Sequence, residues 1–100
     1  MAKSILQQDT DRCYLCGGFP TFSDPLDKHH IFGGALRKKS EKYGLVVHIH
    51  HNKCHIFGKD AVHVNAKINR ALQAQAQKIA MKRYGWSVED FRERFYKNYL

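Results

Sequence analysis

Apolar and polar positions alternate most regularly in YGLVVHIHH, residues 43–51, where Leu45, Val47 and Ile49 fall on one face and Val46, His48 and His50 on the other. A period of two is that of a strand. KHHIF, residues 28–32, forms a shorter strand, and GGALRKKSEKYG joins the two. From Asp60 to Tyr84 the period lengthens: Val64, Ile68, Leu72, Gln75 and Ile79 recur at helical spacing through an Ala- and Gln-rich middle, and Gly85 supplies a stop. A second helix is expected over 87–98, with Ser87 and Asp90 as a capping box and Phe91, Phe95 and Tyr99 turned inward. Both prolines lie in the loop GGFPTFSDPLD, and residues 1–12 read as a short, loose N-terminal segment. The order is knuckle and hairpin over 13–60, long helix over 60–84, second helix over 87–98.

A chain of 100 residues makes one domain with a modest core, so a metal is a reasonable additional staple. Seventeen Lys and Arg against nine Asp and Glu give a net charge of +8, which favours a polyanionic partner. Nucleic acid is a commoner partner of this kind than an acidic membrane surface. There is no run of eighteen apolar residues, and the N-terminus lacks the apolar centre of a secretory signal. A soluble protein of the cell interior is therefore expected. In such a reducing compartment three cysteines are thiols or metal ligands rather than disulfides.

Their spacing favours ligands. CYLCGG holds Cys13 and Cys16 two residues apart, with glycines that let the backbone fold tightly around one ion. HHNKCH repeats the gap with His51 and Cys54. Three thiolates and an imidazole suit a closed tetrahedral zinc site, with bonds of ~2.3 Å to sulfur and ~2.0 Å to nitrogen. His51 has the two-residue gap and shares the face of Val47 and Ile49; His50 is the alternative ligand.

With zinc so assigned, His29, His30, His55 and His63 remain near the hairpin and the long helix, more histidines than a core of this size uses. Read together, CYLCG, DKHHIFGG, SEKYGLVVHIHHNKCH and VHVN resemble the HNH nucleases of the ββα-metal, or His-Me finger, group, in particular small zinc-stapled forms from phages and prophages. The resemblance covers about half the chain. It implies an α+β fold, a zinc-stapled ββα-metal core with a β-hairpin packed on a long helix and a further C-terminal helix. The implied activity is metal-dependent endonucleolytic hydrolysis of DNA in a bacterial host cell, in phage recombination, replication or packaging. By the same resemblance His30 is the general base, and His29, His55 and His63 hold a catalytic magnesium or manganese ion. The chemistry agrees, since phosphodiester hydrolysis needs a base for water and a cation for the charge that grows on phosphate, and an ordinary histidine titrates near ~6.5. Asp27 reads as a solvated loop charge, with help at the metal as the alternative, and His48 and His50 as solvated or phosphate-contacting groups.

One position departs from the pattern. Gly44 stands where the family's central asparagine braces the loop beside the base, so the bracing must come from the backbone, from Tyr43 or from elsewhere. Asn52 and Asn65 do not occupy that position. Arg37, Lys38 and Lys39, on the loop beside the proposed ion, are the candidate DNA phosphate contacts. Two non-catalytic alternatives stand beside the nuclease: a zinc-stabilised nucleic-acid-binding module, and a phage adaptor contacting partners through the aromatic C-terminal helix.

Overall fold

The computed structural model describes every residue except 1–3, Phe57 and Asp60. Strands β1 (Leu26–His30) and β2 (Val46–His50) form an antiparallel hairpin in which Leu26 faces His50 and His30 faces Val46. Alternation along β2 holds for direction but not for polarity, because Val46 on the second face is as buried as Leu45, Val47 and Ile49. The N-terminal segment borders that strand and is docked rather than loose. Ile5 N–H donates to Gly44 carbonyl at 2.9 Å, Gln7 Oε1 accepts from His48 N–H at 2.7 Å, and Tyr14 N–H reaches His48 carbonyl at 2.9 Å. Residues 1–3 of that expected segment lie outside the described residues.

The connection between the strands is structured too. A 3-10 turn (Gly34–Leu36) runs into helix α1 (Arg37–Lys42), whose Arg, Lys and Glu are good helix formers. The basic stretch expected as a loop is thus a helix. It ends at Gly44, whose φ of +75° lies where a side chain is strained. An asparagine tolerates this conformation less well than glycine, which gives a backbone reason for the residue found there.

After β2 the chain makes one π-helical turn (His51–Ile56), then helices α2 (Ala66–Tyr84) and α3 (Val88–Phe95). Helix α2 starts later than the expected Asp60, which lies outside the described residues. Asn65 is its cap, accepting from Lys67 and Ile68 N–H, and 61–64 form a tight turn beforehand. His63 and Val64 therefore precede the helix, and Val64 is exposed. The buried stripe is Leu72, Ala76 and Ala80 with Gln77, whose amide donates to Asn98 and accepts from Tyr99 N–H, tying down the C-terminus. Helix α3 has the expected Ser87–Asp90 capping box but ends at Phe95, not at 98, because Tyr96 adopts the left-handed conformation with φ +66°.

The result is a small α+β fold, a two-stranded hairpin with helices gathered around one core. Leu45, Val47 and Ile49 meet Leu72, Ala76, Ala80, Phe91 and Phe95 there, and Phe32 sits among Phe91, Phe95 and Tyr99. Among the described residues no helix is long and apolar enough to cross a membrane.

Candidate metal centres

Among the described residues three sets of ligand-type side chains lie around the π-turn, two of them sharing His55. In the first, Cys13, Cys16, His50 and Cys54 bring their ligand atoms within 4.8 Å of one another. The knuckle is closed by Cys13 N–H to Gly18 carbonyl and Gly17 N–H to Cys13 carbonyl, both 2.8 Å. His50 Nδ1 stands 3.2 Å from Cys16 Sγ, while Nε2 is 2.9 Å from the Phe19 carbonyl. That carbonyl can only accept, so the ring proton lies on Nε2 and the Nδ1 lone pair faces the sulfurs. The Phe19 carbonyl, more than any other group, raises the His50 pKa.

The thiols conflict without a cation. Burial pushes Cys13 up, yet backbone N–H groups of Cys16, His50 and Leu15 and the Cys54 thiol outweigh it and bring it down to about 7. Burial and the neighbouring Cys13 and Cys16 push Cys54 up to about 12. A divalent ion removes the repulsion that keeps Cys54 protonated. Donor type, closeness and the fixed tautomer all fit zinc, which these four residues can bind. The expected ligand His51 is replaced by its neighbour His50. The slight preference for His51 assumed that the hairpin face continues past the strand, whereas the π-turn begins at His51 and swings it away.

His51 instead faces Asp27. Asp27 Oδ2 lies 2.5 Å from His51 Nδ1 and 2.9 Å from His55 Nδ1. Both are hydrogen-bond separations, and a carboxylate oxygen can only accept from each ring. Asp27 is therefore a shared acceptor that puts the protons of both rings on Nδ1, not the solvated charge expected. Burial, which raises its pKa, is outweighed by the hydrogen bonds from His55 and His51, so its carboxyl falls below the ordinary value.

The second set is His29, His55 and His63, with ligand atoms again within 4.8 Å. Ring centroids stand 4.6 Å (His55–His63), 5.0 Å (His29–His55) and 5.6 Å (His29–His63) apart. Two backbone hydrogen bonds place His63: Val62 N–H to Cys54 carbonyl at 2.9 Å and His63 N–H to His55 carbonyl at 3.1 Å. Nε2 of His63 and Nε2 of His55 are 3.0 Å apart, and with His55 Nδ1 protonated only a proton or a cation can lie between them. His29 is 6% exposed, and its buried Nε2 has no hydrogen-bond partner among the described residues. Burial first, then His55, His63 and His30, hold its pKa down at about 4. A neutral, orphaned imidazole beside two others fits a cation by donor chemistry.

His30 points to the opposite strand face, where His30 Nε2 stands 3.0 Å from Glu41 Oε1 and Lys28 Nζ 2.8 Å from Glu41 Oε2. With Arg37, Lys38 and Glu41 it lines an open cleft of about 370 Å³. Hydrogen bonds from Lys28 and His30 lower the Glu41 pKa. Of the three expected phosphate contacts, Arg37 and Lys38 are exposed in this cleft. Lys39 is occupied: its Nζ donates to Arg94 carbonyl at 2.7 Å and Tyr96 hydroxyl at 3.1 Å and sits 4.4 Å above the Tyr96 ring.

Ser40 ties the two sides of the strand connection together. It is fully buried, and its hydroxyl donates to Leu45 carbonyl and accepts from Phe32 N–H at 3.3 Å, linking the segment after the histidine pair to the entry of β2. Ser40 and Glu41 were not expected at this site; inside SEK they carry no sequence signal beyond that of a solvated helix.

A small α+β protein with a three-cysteine, one-histidine site able to hold zinc is the class that fold and site define. Compared with known proteins, the chain matches no family model, no curated protein and no solved structure.

Proposed function

We propose that this protein is a metal-dependent DNA endonuclease, with a structural zinc at Cys13, Cys16, His50 and Cys54 and a second divalent ion at His29, His55 and His63, an all-imidazole set that suits a transition-metal ion better than magnesium. The observation that carries this reading is the convergence of those three imidazoles around the buried, unpartnered Nε2 of His29. When bound, the ion would supply positive charge for the scissile phosphate and the leaving oxygen. The chain's own residues do the rest. Asp27 fixes the ring of His55 through Nδ1–H, so that Nε2 is the coordinating atom. His30, the last residue of β1 and on the face opposite His29, is the general base in this reading, which requires the scissile phosphate to lie across the end of that strand: with Nε2–H donated to Glu41, its Nδ1 keeps a lone pair. That nitrogen takes the proton of water as the water oxygen bonds to phosphorus and the bond to the leaving oxygen breaks. Arg37 and Lys38 neutralise flanking phosphates, and the +8 charge draws the polyanion in.

A second reading has its own observation. Glu41 binds both Lys28 and His30 and so knits β1 to α1, a role that a non-catalytic, zinc-stabilised nucleic-acid-binding module would also use. Incubating supercoiled plasmid with zinc-loaded protein, with magnesium, manganese or chelator, separates the two. The nuclease reading expects metal-dependent nicking or linearisation that His30→Ala and His55→Ala abolish while zinc content and fold persist. DNA binding without cutting, unchanged in both variants, establishes the binding module instead.

A further inference from the structure

Beyond the Phe19 carbonyl that holds His50, the loop joining the zinc knuckle to β1 carries a turn that neither the core nor either centre uses, yet it is mounted rigidly. Thr21 N–H donates to Asp24 carbonyl and Asp24 N–H to Thr21 carbonyl, both at 3.2 Å, closing a turn with Phe22 and Ser23 at its tip. The turn is bolted to the π-turn. Asp24 carboxylate accepts Asn52 N–H at 2.7 Å and Lys53 N–H at 3.2 Å, Asn52 Nδ2 donates to Ser23 carbonyl at 2.9 Å, and His51 N–H to Pro25 carbonyl at 2.8 Å. On this fixed mount Phe22 is fully exposed. Phe19, 59% exposed, lies under the Arg12 guanidinium at 4.5 Å.

A scattered surface apolar side chain needs no explanation. Here an aromatic ring is held out on a turn pinned to the segment that carries His55, and a cation stacks on a second ring three residues earlier in the chain. Thr21, Ser23, Asp24, Asn52 and Lys53 surround the tip, so the apolar area is about one ring. A stable protein interface buries about 800 Å² on each side around an apolar centre, whereas a nucleobase needs one aromatic face. Reach agrees. Phe22 precedes the proposed ligand His29 by seven residues, so the two Cα atoms are at most about 25 Å apart, roughly seven nucleotide steps at ~3.4 Å each.

We propose that Phe22 is a base-stacking platform, with Arg12 and Phe19 as a secondary one, and that the preferred DNA carries unpaired bases within about seven nucleotides of the cleavage position. The stacking role rests on the nuclease reading for the identity of the partner as DNA, and the distance rests on it for the cleavage position.

Binding in chelator, where no cleavage occurs, tests it with oligonucleotides carrying 2-aminopurine in a single-stranded gap or in a perfect duplex. The wild type is expected to prefer the gapped DNA and to change the probe's fluorescence. Phe22→Ala should bind gapped DNA about 5- to 150-fold more weakly, the range of one lost base stack, with Phe22→Trp restoring it. The slope of log affinity against log salt should not change, because no phosphate contact is lost. Equal binding of gapped DNA by wild type and Phe22→Ala overturns the stacking role while leaving the nuclease reading intact. So does a loss confined to a self-association that light scattering detects in the wild type. Stacking without any metal-dependent cutting upholds this inference and overturns the nuclease. Absence of DNA binding by the wild type overturns both.

Discussion

His50 and His51 are adjacent, and replacing each with alanine should give opposite results. His50 is 6% exposed, presents Nδ1 to the sulfurs and is locked by Phe19 carbonyl. Apparent binding energies of structural zinc are about 10–16 kcal/mol in zinc-finger peptides, as large as the whole stability of a typical domain, about 5–15 kcal/mol. If losing one ligand of four removes a quarter of this, about 3 kcal/mol, a domain of this size melts about 12–24 °C lower. His51→Ala removes a half-exposed partner of Asp27, and the His55 hydrogen bond to the same oxygen remains. Exposed pairs of this kind contribute about 0–1 kcal/mol, so melting should move by about 8 °C at most. Zinc content after dialysis against a chelator, the spectrum of the cobalt-substituted protein and thermal melting decide the matter. His51→Ala should keep about one zinc per chain and His50→Ala should lose it. Zinc retained by His50→Ala and lost by His51→Ala would refute the assignment and the tautomer argument behind it.

Two more expectations follow from buried groups. His29 titrates at about 4 in the folded protein against 6.5 for an ordinary histidine. Above 6.5 both states are neutral; between 6.5 and 4 the unfolded chain takes up a proton that the folded one refuses, so stability falls with pH by about 3 kcal/mol in all. Denaturant unfolding of the zinc-loaded protein without other divalent ions should therefore lose about 2 kcal/mol between pH 6.5 and 5 relative to His29→Gln, and parallel profiles would sink the claim. Ser40→Ala strands the buried Phe32 N–H, while Leu45 carbonyl keeps the Ile31 N–H at 3.1 Å, at a cost of about 1–3 kcal/mol, or about 4–8 °C of melting temperature per kcal/mol. An unchanged melting curve would show that the Phe32 N–H does not depend on the serine.

Legibility in the sequence followed the range of the forces involved. The hairpin, the long helix and the Ser87–Asp90 cap are written in local periodicity and in side chains that bond to their own backbone, and all three are present. The helix start was misplaced because Val64 fits the helical period while Asn65, one residue later, offers a better cap. Spacing found Cys13, Cys16 and Cys54, but no local rule chooses between His50 and His51; that choice depends on Phe19 carbonyl, 31 residues away. The roles of Asp27, Ser40 and Glu41 were hidden for the same reason, since a polar side chain looks solvated until the fold supplies its partner. Lys39 shows the reverse, a charge that reads as free and is held by the C-terminal helix.

The π-turn imposes a rule on how this protein can vary. His50 and Cys54 go to one centre while His51 and His55 meet at Asp27, so two interleaved pairs with the same spacing share one short segment. Deleting or inserting a single residue between His50 and His55 would turn Cys54 and His55 off their targets together and disable both centres in one step. Point substitutions are separable; changes of length are not. In any descendant that keeps both sites, the distance in sequence from His50 to His55 should be fixed, even where the loops on either side drift in size.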